Sequence, residues 1–347
     1  MKNLILILPL VLFLSSCQKD EEPLTTQALG DKSKASAIVN AFGLANAEYS
    51  KLGPYEVATN AVRGDCRQLV GIASKVLASL KLINPEVRCS PAFPYGFEQN
   101  FSTEAFYPAN IQSLEKIPVI NFVGGILSNQ GHYEALATLW ASYGFVVINS
   151  NNFINTVPTM HIYGAIEASK LNDDPLSPLY NKIDLTKMIV AGHSAGGGAS
   201  ILTSSLSQKA LDIIDPRLRI LGSLPIQPGP LAIGTTVKHP TFIITGELDL
   251  IVSPLLWPNL WQSNLIKRVP SWIATARFAT HFSPTLDIQR NEFAGISVAW
   301  MLYQGKNDES ASRYFVGTDY LLQSDPQFIQ GTLNPLRVQR NNLADRL

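Results

Sequence analysis

The spacing of hydrophobic residues changes near residue 100. Beyond that point, short apolar runs alternate with longer stretches in which apolar residues recur at helical spacing. Several of the short runs are apolar at every position, which is typical of strands covered by helices on both faces. This alternation predicts an α/β fold with a doubly wound, mostly parallel sheet. In such sheets the functional residues lie in loops that follow the carboxyl ends of strands.

The pattern after residue 100 predicts a series of strands and helices, and one further helix precedes it. The predicted strands are 104–107, 119–123, 145–149, 188–191, 220–224, 241–245 and 272–277. The predicted helices are 65–82, 132–142, 159–169, 195–207, 254–264 and 287–303.

The first residues have the pattern of an export signal. A short basic start precedes the apolar run Leu4 to Leu14, and small residues stand before Cys17. This predicts a signal peptide over residues 1–16. The sequence before Cys17 also resembles a lipobox, so we expect a lipid-modified Cys17; ordinary cleavage after a small residue is the alternative. Residues 17–50 are interpreted as a tether with a possible short helix, which would anchor an exported protein to the outer membrane or the cell surface.

Residues 51–347 are interpreted as one α/β domain with an N-terminal helical elaboration at about residues 65–90. The chain has three cysteines. Lipidation of Cys17 leaves Cys66 and Cys89, and two cysteines in an oxidising compartment are expected to form a disulfide. The sequence has no Cys-x-x-Cys motif and no cluster of histidines, so no metal site is expected.

Composition narrows the class of protein. Of the 347 residues, 46% are hydrophobic and only 16% are charged, which excludes disorder for most of the chain. Lys and Arg total 27, as do Asp and Glu. A protein that neutralises phosphates needs an excess of basic residues, so nucleic acid is not an expected partner.

One motif introduces candidate chemistry. Gly192-His193-Ser194-Ala195-Gly196 fits the pattern G-x-S-x-G, between a predicted strand and a predicted helix. In that position the motif forms a nucleophile elbow, a sharp turn that exposes the serine hydroxyl. Ser194 is therefore the candidate nucleophile. It requires a histidine base, and the base requires a carboxylate that orients it.

The order of residues selects the partners, because the elbow serine is followed in the chain by an acid and then a histidine. Only His239 and His281 follow Ser194, and His239 precedes a strand whereas His281 follows one. Asp249 lies four residues beyond the predicted strand 241–245, which suits the acid, and Glu247 is the alternative. Ser194, Asp249 and His281 are predicted to form a catalytic triad.

Two backbone N–H groups are predicted to stabilise the oxyanion of the reaction. The first belongs to Ala195, directly after the nucleophile. The second belongs to Ile126, since Gly124 and Gly125 follow the strand 119–123 and permit close approach of the backbone. The alternative is that the two glycines form a plain tight turn.

These residues resemble the bacterial cutinases and polyester hydrolases, including the PET-hydrolase-like enzymes, in the dienelactone-hydrolase branch of the α/β-hydrolases. The resemblance covers residues 100 to 320. The matching segments are Phe106-Tyr107-Pro108, Gly144-Phe145-Val146-Val147, Gly192 to Gly198, Gly246-Glu247-Leu248-Asp249 and His281-Phe282-Ser283-Pro284. The resemblance implies an α/β-hydrolase fold and a monomeric, cofactor-free carboxylesterase that uses the predicted triad.

The sequence departs from this family near the substrate. The family's residue after the nucleophile is usually Met, and here it is Ala195. The family's substrate-clamping Trp is missing, because residues 224–238 contain no aromatic residue. Trp257 and Trp261 lie four apart on the predicted helix after Asp249; they are interpreted either as core packing or as an aromatic wall for an acyl chain.

The sequence therefore predicts a secreted serine hydrolase that cleaves uncharged, hydrophobic carboxylic esters, small or polymeric. An acyltransferase or an amidase would use the same triad. A surface lipoprotein that binds polymers or lipids on an inactive hydrolase scaffold is the alternative from another class.

Overall fold

The computed structural model describes residues 40–66, 68–90 and 102–347. The predicted signal peptide, the lipidation site Cys17 and the first part of the predicted tether lie outside the described residues. Within the described residues, no helix is long and apolar enough to cross a membrane.

A nine-stranded sheet forms the centre of the molecule. Its strands are β1 (Val57–Thr59), β2 (Ser102–Pro108), β3 (Ile117–Val123), β4 (Val146–Asn151), β5 (Ile183–His193), β6 (Ile220–Ile226), β7 (Thr241–Gly246), β8 (Ser271–Ala276) and β9 (Gln339–Arg340). Their order in the sheet is β1-β2-β4-β3-β5-β6-β7-β8-β9. The pairs β1–β2, β2–β4 and β8–β9 are antiparallel and the others are parallel.

Eight α-helices accompany the sheet in the described residues. They are α1 (Leu44–Tyr49), α2 (Gln68–Ser79), α3 (Glu134–Ser142), α4 (Thr159–Asp173), α5 (Ala195–Thr203), α6 (Gln208–Ile214), α7 (Ala294–Lys306) and α8 (Glu309–Ser312). A π-helix spans Leu255–Gln262.

Helices cover both faces of the sheet. One core packs α3 and α7 against the strands and contains large buried aromatic side chains such as Trp140 and Trp300. The core on the other face contains residues of α4 and α6, among them Ala165 and Leu211. The central strands β3 to β8 are buried along nearly their whole length, which is why their sequences read as continuous apolar runs. The predicted doubly wound α/β fold is confirmed.

All seven predicted strands occur, and the differences lie at element boundaries and in short elements. The predicted helix 195–207 ends at Thr203, and a separate helix α6 begins after Ser207, whose side chain accepts a hydrogen bond from Ala210 N–H. The predicted helix 287–303 begins only at Ala294. Strands β1 and β9 have three and two residues, too few for a periodic signal.

The predicted tether ends earlier than residue 50. The compact unit that contains the sheet begins at Val39, and α1 packs against α7 within it. Ala45 is buried, and its N–H donates to Asp325 Oδ2 at 2.8 Å. The Asn46 side chain accepts the Gly295 N–H at 2.8 Å. The possible short helix of the predicted tether therefore occurs as α1, but it belongs to the compact unit and not to a tether, because Ala45, Asn46 and Tyr49 are buried and α1 packs against α7.

The elaboration predicted at about residues 65–90 contains α2 and is closed by a disulfide between Cys66 and Cys89. We call residues 66–90 the stapled segment. Gly64 and Cys89 also exchange two backbone hydrogen bonds of 2.9 and 3.0 Å beside the disulfide. The disulfide and these two hydrogen bonds close the segment into a loop.

Removal of the disulfide is expected to destabilise the protein. The double variant Cys66→Ala/Cys89→Ala should lower the free energy of unfolding by about 3 kcal/mol, because the unfolded chain regains the entropy that closure of this loop removes. Urea denaturation followed by tryptophan fluorescence measures the change. An unchanged unfolding midpoint would contradict this expectation.

A buried histidine makes the stability of the fold depend on pH. His161 in α4 is fully buried, and its Nε2 lies 2.9 Å from the carbonyl oxygen of Ala191. Burial lowers the pKa of His161 to about 4. The unfolded chain, with a pKa near 6.5, therefore takes up the proton first, and stability falls as the pH drops from about 6.5 to about 4.

The variant His161→Gln isolates this effect. When the pH is lowered from 7 to 4, the wild type is expected to lose about 3 kcal/mol more unfolding free energy than the variant, which lacks the buried imidazole. Urea denaturation at a series of pH values gives that difference. A difference that does not change with pH would show that His161 is not held neutral in the folded protein.

Candidate active site

The G-x-S-x-G motif forms a sharp turn between β5 and α5. Ser194 has φ 55° and ψ −117°, a backbone conformation that non-glycine residues seldom adopt. A Cβ atom on Gly192 would lie 2.2 Å from the carbonyl oxygen of Gly196, so the turn needs glycine there. The Ser194 N–H donates to the Ile226 carbonyl at 2.9 Å. The turn thus fixes the serine at the carboxyl edge of the sheet.

The residues predicted as nucleophile, base and acid lie in one hydrogen-bonded row. Ser194 Oγ is 2.9 Å from His281 Nε2, and His281 Nδ1 is 2.8 Å from Asp249 Oδ2. Asp249 follows β7 and His281 follows β8, so neighbouring parallel strands deliver both to the edge where β5 delivers the serine. All three side chains are largely buried.

Hydrogen bonds fix the carboxylate and the ring. Asp249 Oδ1 accepts the N–H groups of Ile251 and Val252 at 2.9 and 2.8 Å, which leaves Oδ2 for the histidine. Because a carboxylate can only accept, Nδ1 of His281 carries the proton. Nε2 is then free to accept the proton of the Ser194 hydroxyl. Glu247, the alternative acid, instead accepts the Phe278 N–H at 3.2 Å.

The predicted oxyanion donors flank the serine. The loop after β3 approaches the elbow closely, since a Cβ on Gly125 would lie 3.2 Å from Ser194 Cβ and Gly196 N–H donates to the Gly124 carbonyl. The N–H groups of Ile126 and Ala195 donate to no protein acceptor among the described residues. Unengaged N–H groups are what an oxyanion needs as donors, and the role of Ile126 and Ala195 as these donors stays a prediction.

A second histidine lies under the row. The ring of His193 is 4.8 Å from the ring of His281, and its Nδ1 is 2.8 Å from the hydroxyl of Tyr133. The same hydroxyl accepts the Gly125 N–H at 2.9 Å, so Tyr133 links His193 to the loop after β3. Burial, with a contribution from the charge of His281, lowers the pKa of His193 well below its usual range. The lowered pKa favours the neutral form of His193 beside the ring of His281.

The stapled segment contacts two loops of the site. Asn129, in the loop after β3, accepts the Ser90 N–H at 2.8 Å and donates to the Ser90 carbonyl at 3.2 Å. His132 Nε2 lies 2.9 Å from Ser74 Oγ in α2. The N–H of Asn84 donates to the carbonyl of Thr285, four residues after His281. These contacts join segments distant in sequence, and no local pattern indicates them.

The two tryptophans do not pack in the core. Trp257 is 38% exposed and Trp261 is 51% exposed, whereas Asn259 and Gln262 form the buried side of the π-helix. Gln262 donates to the carbonyl of Gly229 at 2.8 Å, and the Gly229 N–H donates to the Ser194 carbonyl. The π-helix is thereby attached next to the nucleophile, with its tryptophans outside. The interpretation of both tryptophans as core residues was wrong.

Other residues of the loop after β7 continue this exposed apolar surface. Leu248, Leu250 and Ile251 are each at least half exposed.

Within the described residues, no group of three or more His, Cys, Asp or Glu side chains is arranged to hold a metal ion. The chemistry that these residues support is nucleophilic attack by a hydroxyl, with proton transfer through an imidazole.

The known proteins to which this chain is similar include two cutinases and a lipase. Cutinase 2 of Thermobifida cellulosilytica is 28% identical over 199 residues, which cover 55% of this chain and 69% of that protein. Cutinase cut1 of Thermobifida fusca is 28% identical over 199 residues, covering 55% and 57%. Lipase 1 of Moraxella sp. strain TA144 is 24% identical over 217 residues, covering 61% and 63%.

A family model extends this similarity over more of the sequence. The model described as PET hydrolase-like matches residues 94–330, which is more than half of the chain and includes Ser194, Asp249 and His281. The predicted family is confirmed, and the chain belongs to the PET hydrolase-like family.

Proposed function

We propose that the protein is an exported serine esterase that cleaves carboxylic esters through a covalent acyl-enzyme. The observation that carries the proposal is the continuous row Ser194–His281–Asp249, with hydrogen bonds of 2.9 and 2.8 Å. Membership of the PET hydrolase-like family and similarity to proteins named cutinase and lipase support ester hydrolysis as the reaction.

The geometry gives each residue a role in the reaction. His281 Nε2 removes the proton of the Ser194 hydroxyl as Oγ attacks the ester carbonyl, and Asp249 stabilises the imidazolium that forms. The N–H groups of Ala195 and Ile126 stabilise the tetrahedral oxyanion. His281 then protonates the leaving alcohol, and the same groups activate a water molecule that releases the acid and regenerates Ser194.

The surface around the row favours an uncharged, apolar substrate. Exposed Leu250 and Ile251 follow Asp249 directly, and the exposed Trp257 and Trp261 come next in the chain. These residues would contact the acyl or alcohol part of a hydrophobic ester. The absence of an aromatic residue in 224–238 argues against a clamp for aromatic polyesters.

Hydrolysis of p-nitrophenyl esters from acetate to dodecanoate tests the proposal, with Ser194→Ala as the matched blank. We expect hydrolysis by the wild type only, with an optimum chain length that measures the acyl site. Transfer of the acyl group to an added alcohol in preference to water would instead indicate an acyltransferase. An absence of hydrolysis for every ester would contradict the proposal and favour a binding lipoprotein.

The location of the enzyme is part of the proposal. From residues 1–17 we infer that the protein is exported and carries a lipid anchor at Cys17, on the outer membrane or cell surface. From the family we infer a monomer without a cofactor. Mass spectrometry of the N-terminal peptide from membranes tests the anchor. The expected result is a peptide that begins at a lipid-modified Cys17, and an unmodified peptide would contradict it.

A further inference from the structure

The carbonyl of Gly125, in the loop beside the proposed nucleophile, accepts three hydrogen bonds. Ser128 Oγ donates to it at 2.6 Å, Asn155 Nδ2 at 3.0 Å and the Ser128 N–H at 3.3 Å. Both side chains are buried. Two side chains, from two different loops, therefore fix the orientation of this carbonyl.

The orientation of the Gly125 carbonyl determines that of the Ile126 N–H. Both groups belong to the same planar peptide unit, and the described residues include no cis peptide bond. In a trans peptide the C=O and the N–H point in opposite directions. Donors that hold the Gly125 oxygen on one side consequently direct the Ile126 N–H to the other, where it meets no protein acceptor among the described residues.

The two donors are themselves held in place. Asn155 has φ 58°, a conformation that asparagine tolerates, and its Oδ1 accepts the Asn152 N–H at 2.8 Å. Its Nδ2 also contacts Asn151 Oδ1 at the end of β4. Asn151 in turn donates to the Ser128 carbonyl at 2.6 Å. This network connects the end of β4 to the loop after β3 without using any residue of the catalytic row.

We propose that Ser128 and Asn155 are positioning residues of the oxyanion hole, which direct the Ile126 N–H at the oxyanion by holding the Gly125 carbonyl. The proposal rests on the esterase function and on the assignment of Ile126 as a donor. Neither side chain contacts the reacting atoms. Both act through the peptide unit between Gly125 and Ile126.

The consequence for catalysis is specific to the transition state. Hydrogen bonds to the carbonyl polarise the peptide unit and strengthen its N–H as a donor. Negative charge develops on the substrate oxygen only as Ser194 attacks, so a directed N–H stabilises the transition state more than the bound ester. Loss of either positioning residue should lower kcat and leave KM nearly unchanged.

The test compares Ser128→Ala and Asn155→Gly with Ser142→Ala in the full chain. Glycine at 155 retains the left-handed backbone conformation at no steric cost. Ser142 is the matched control: its Oγ donates at 2.6 Å to the Leu139 carbonyl three residues earlier, as Ser128 Oγ does to Gly125, but within α3. The measurements are kcat and KM for p-nitrophenyl butyrate, the Kd of butylboronic acid, which forms a tetrahedral adduct with a serine oxygen, and Tm.

We expect kcat to fall about tenfold in Ser128→Ala and in Asn155→Gly, with KM within about twofold of the wild-type value. The affinity for butylboronic acid should fall in proportion to kcat, while Ser142→Ala retains both. Wild-type kcat and boronic acid affinity in a folded Ser128→Ala would overturn the positioning role alone. Hydrolysis that survives in Ser194→Ala would instead overturn the proposed function. If kcat and boronic acid affinity fell equally in Ser142→Ala and Ser128→Ala, general destabilisation would explain both losses. That result would also overturn the inference.

Discussion

Replacing His281 by glutamine is expected to lower kcat for ester hydrolysis by a factor of about 10⁶. Glutamine retains hydrogen-bonding capacity at this position but cannot accept the Ser194 proton that Nε2 receives across 2.9 Å. Without a base, the hydroxyl is too weak a nucleophile to attack the carbonyl at a useful rate. Steady-state hydrolysis of p-nitrophenyl butyrate measures the loss.

The matched control for His281 is His239→Gln. His239 also follows Ser194 in the chain, but it precedes β7 and therefore lies at the opposite end of the parallel strands. We expect the control variant to retain activity within about twofold, as expected for a substitution outside the transition-state contacts. An equal loss in both variants, or an active His281→Gln, would remove His281 from the mechanism.

Asp249→Asn is expected to lower kcat by about 10⁴. Asparagine fits the same space, and its oxygen can still accept the Ile251 and Val252 N–H groups at 2.9 and 2.8 Å. Its amide nitrogen then faces His281 Nδ1 and forces the proton onto Nε2. The imidazole in that tautomer cannot accept a proton from Ser194, so the geometry is preserved while the base is lost.

Glu247→Gln provides the control for the acid. Glu247 lies two residues from Asp249 but accepts the Phe278 N–H and does not contact His281. Its variant should hydrolyse esters at close to the wild-type rate. If Glu247→Gln lost activity and Asp249→Asn kept it, the acid would have been misassigned.

The elements that sequence predicts best are those whose burial dictates their composition. The strands β3, β4, β6, β7 and β8 are buried on both faces, so their apolar runs mark them. β5 begins earlier than predicted because buried Ile183 and Leu185 alternate there with polar residues instead of forming a continuous apolar run, and because the pairing register shifts at Met188/Ile189. The periodicity of a sequence indicates which residues are buried, whereas the hydrogen-bonded pairing of a strand can continue past its buried residues.

The hydrogen-bonded row Ser194–His281–Asp249 was predictable because the topology of the sheet determines where its members lie. Ser194, Asp249 and His281 each follow a strand, and parallel neighbours bring the ends of such strands to one edge. The positions of Ser128, Asn155 and Tyr133 were not predictable in the same way. Their partners are atoms of Gly125 or His193, and a single polar residue in a loop has no pattern that identifies such a partner.

The N-terminal part illustrates a second limit. The helical spacing near residue 70 correctly indicated α2, yet the contacts of the stapled segment with Asn129 and Thr285 depend on the whole tertiary structure. The packing of α1 against α7 depends on close approach at Gly295 and on buried Asn46, neither of which has an apolar signature. Local sequence patterns do not indicate such contacts.

The most direct test of the account is to identify the residue that becomes covalently modified. The wild-type protein and Ser194→Ala are treated with a fluorophosphonate, digested and analysed by mass spectrometry. We expect a single phosphonyl group on Ser194 in the wild type, formed much more slowly in His281→Gln, and none at this peptide in Ser194→Ala. Modification of a different residue, or an unmodified Ser194 in a protein that still hydrolyses esters, would contradict it.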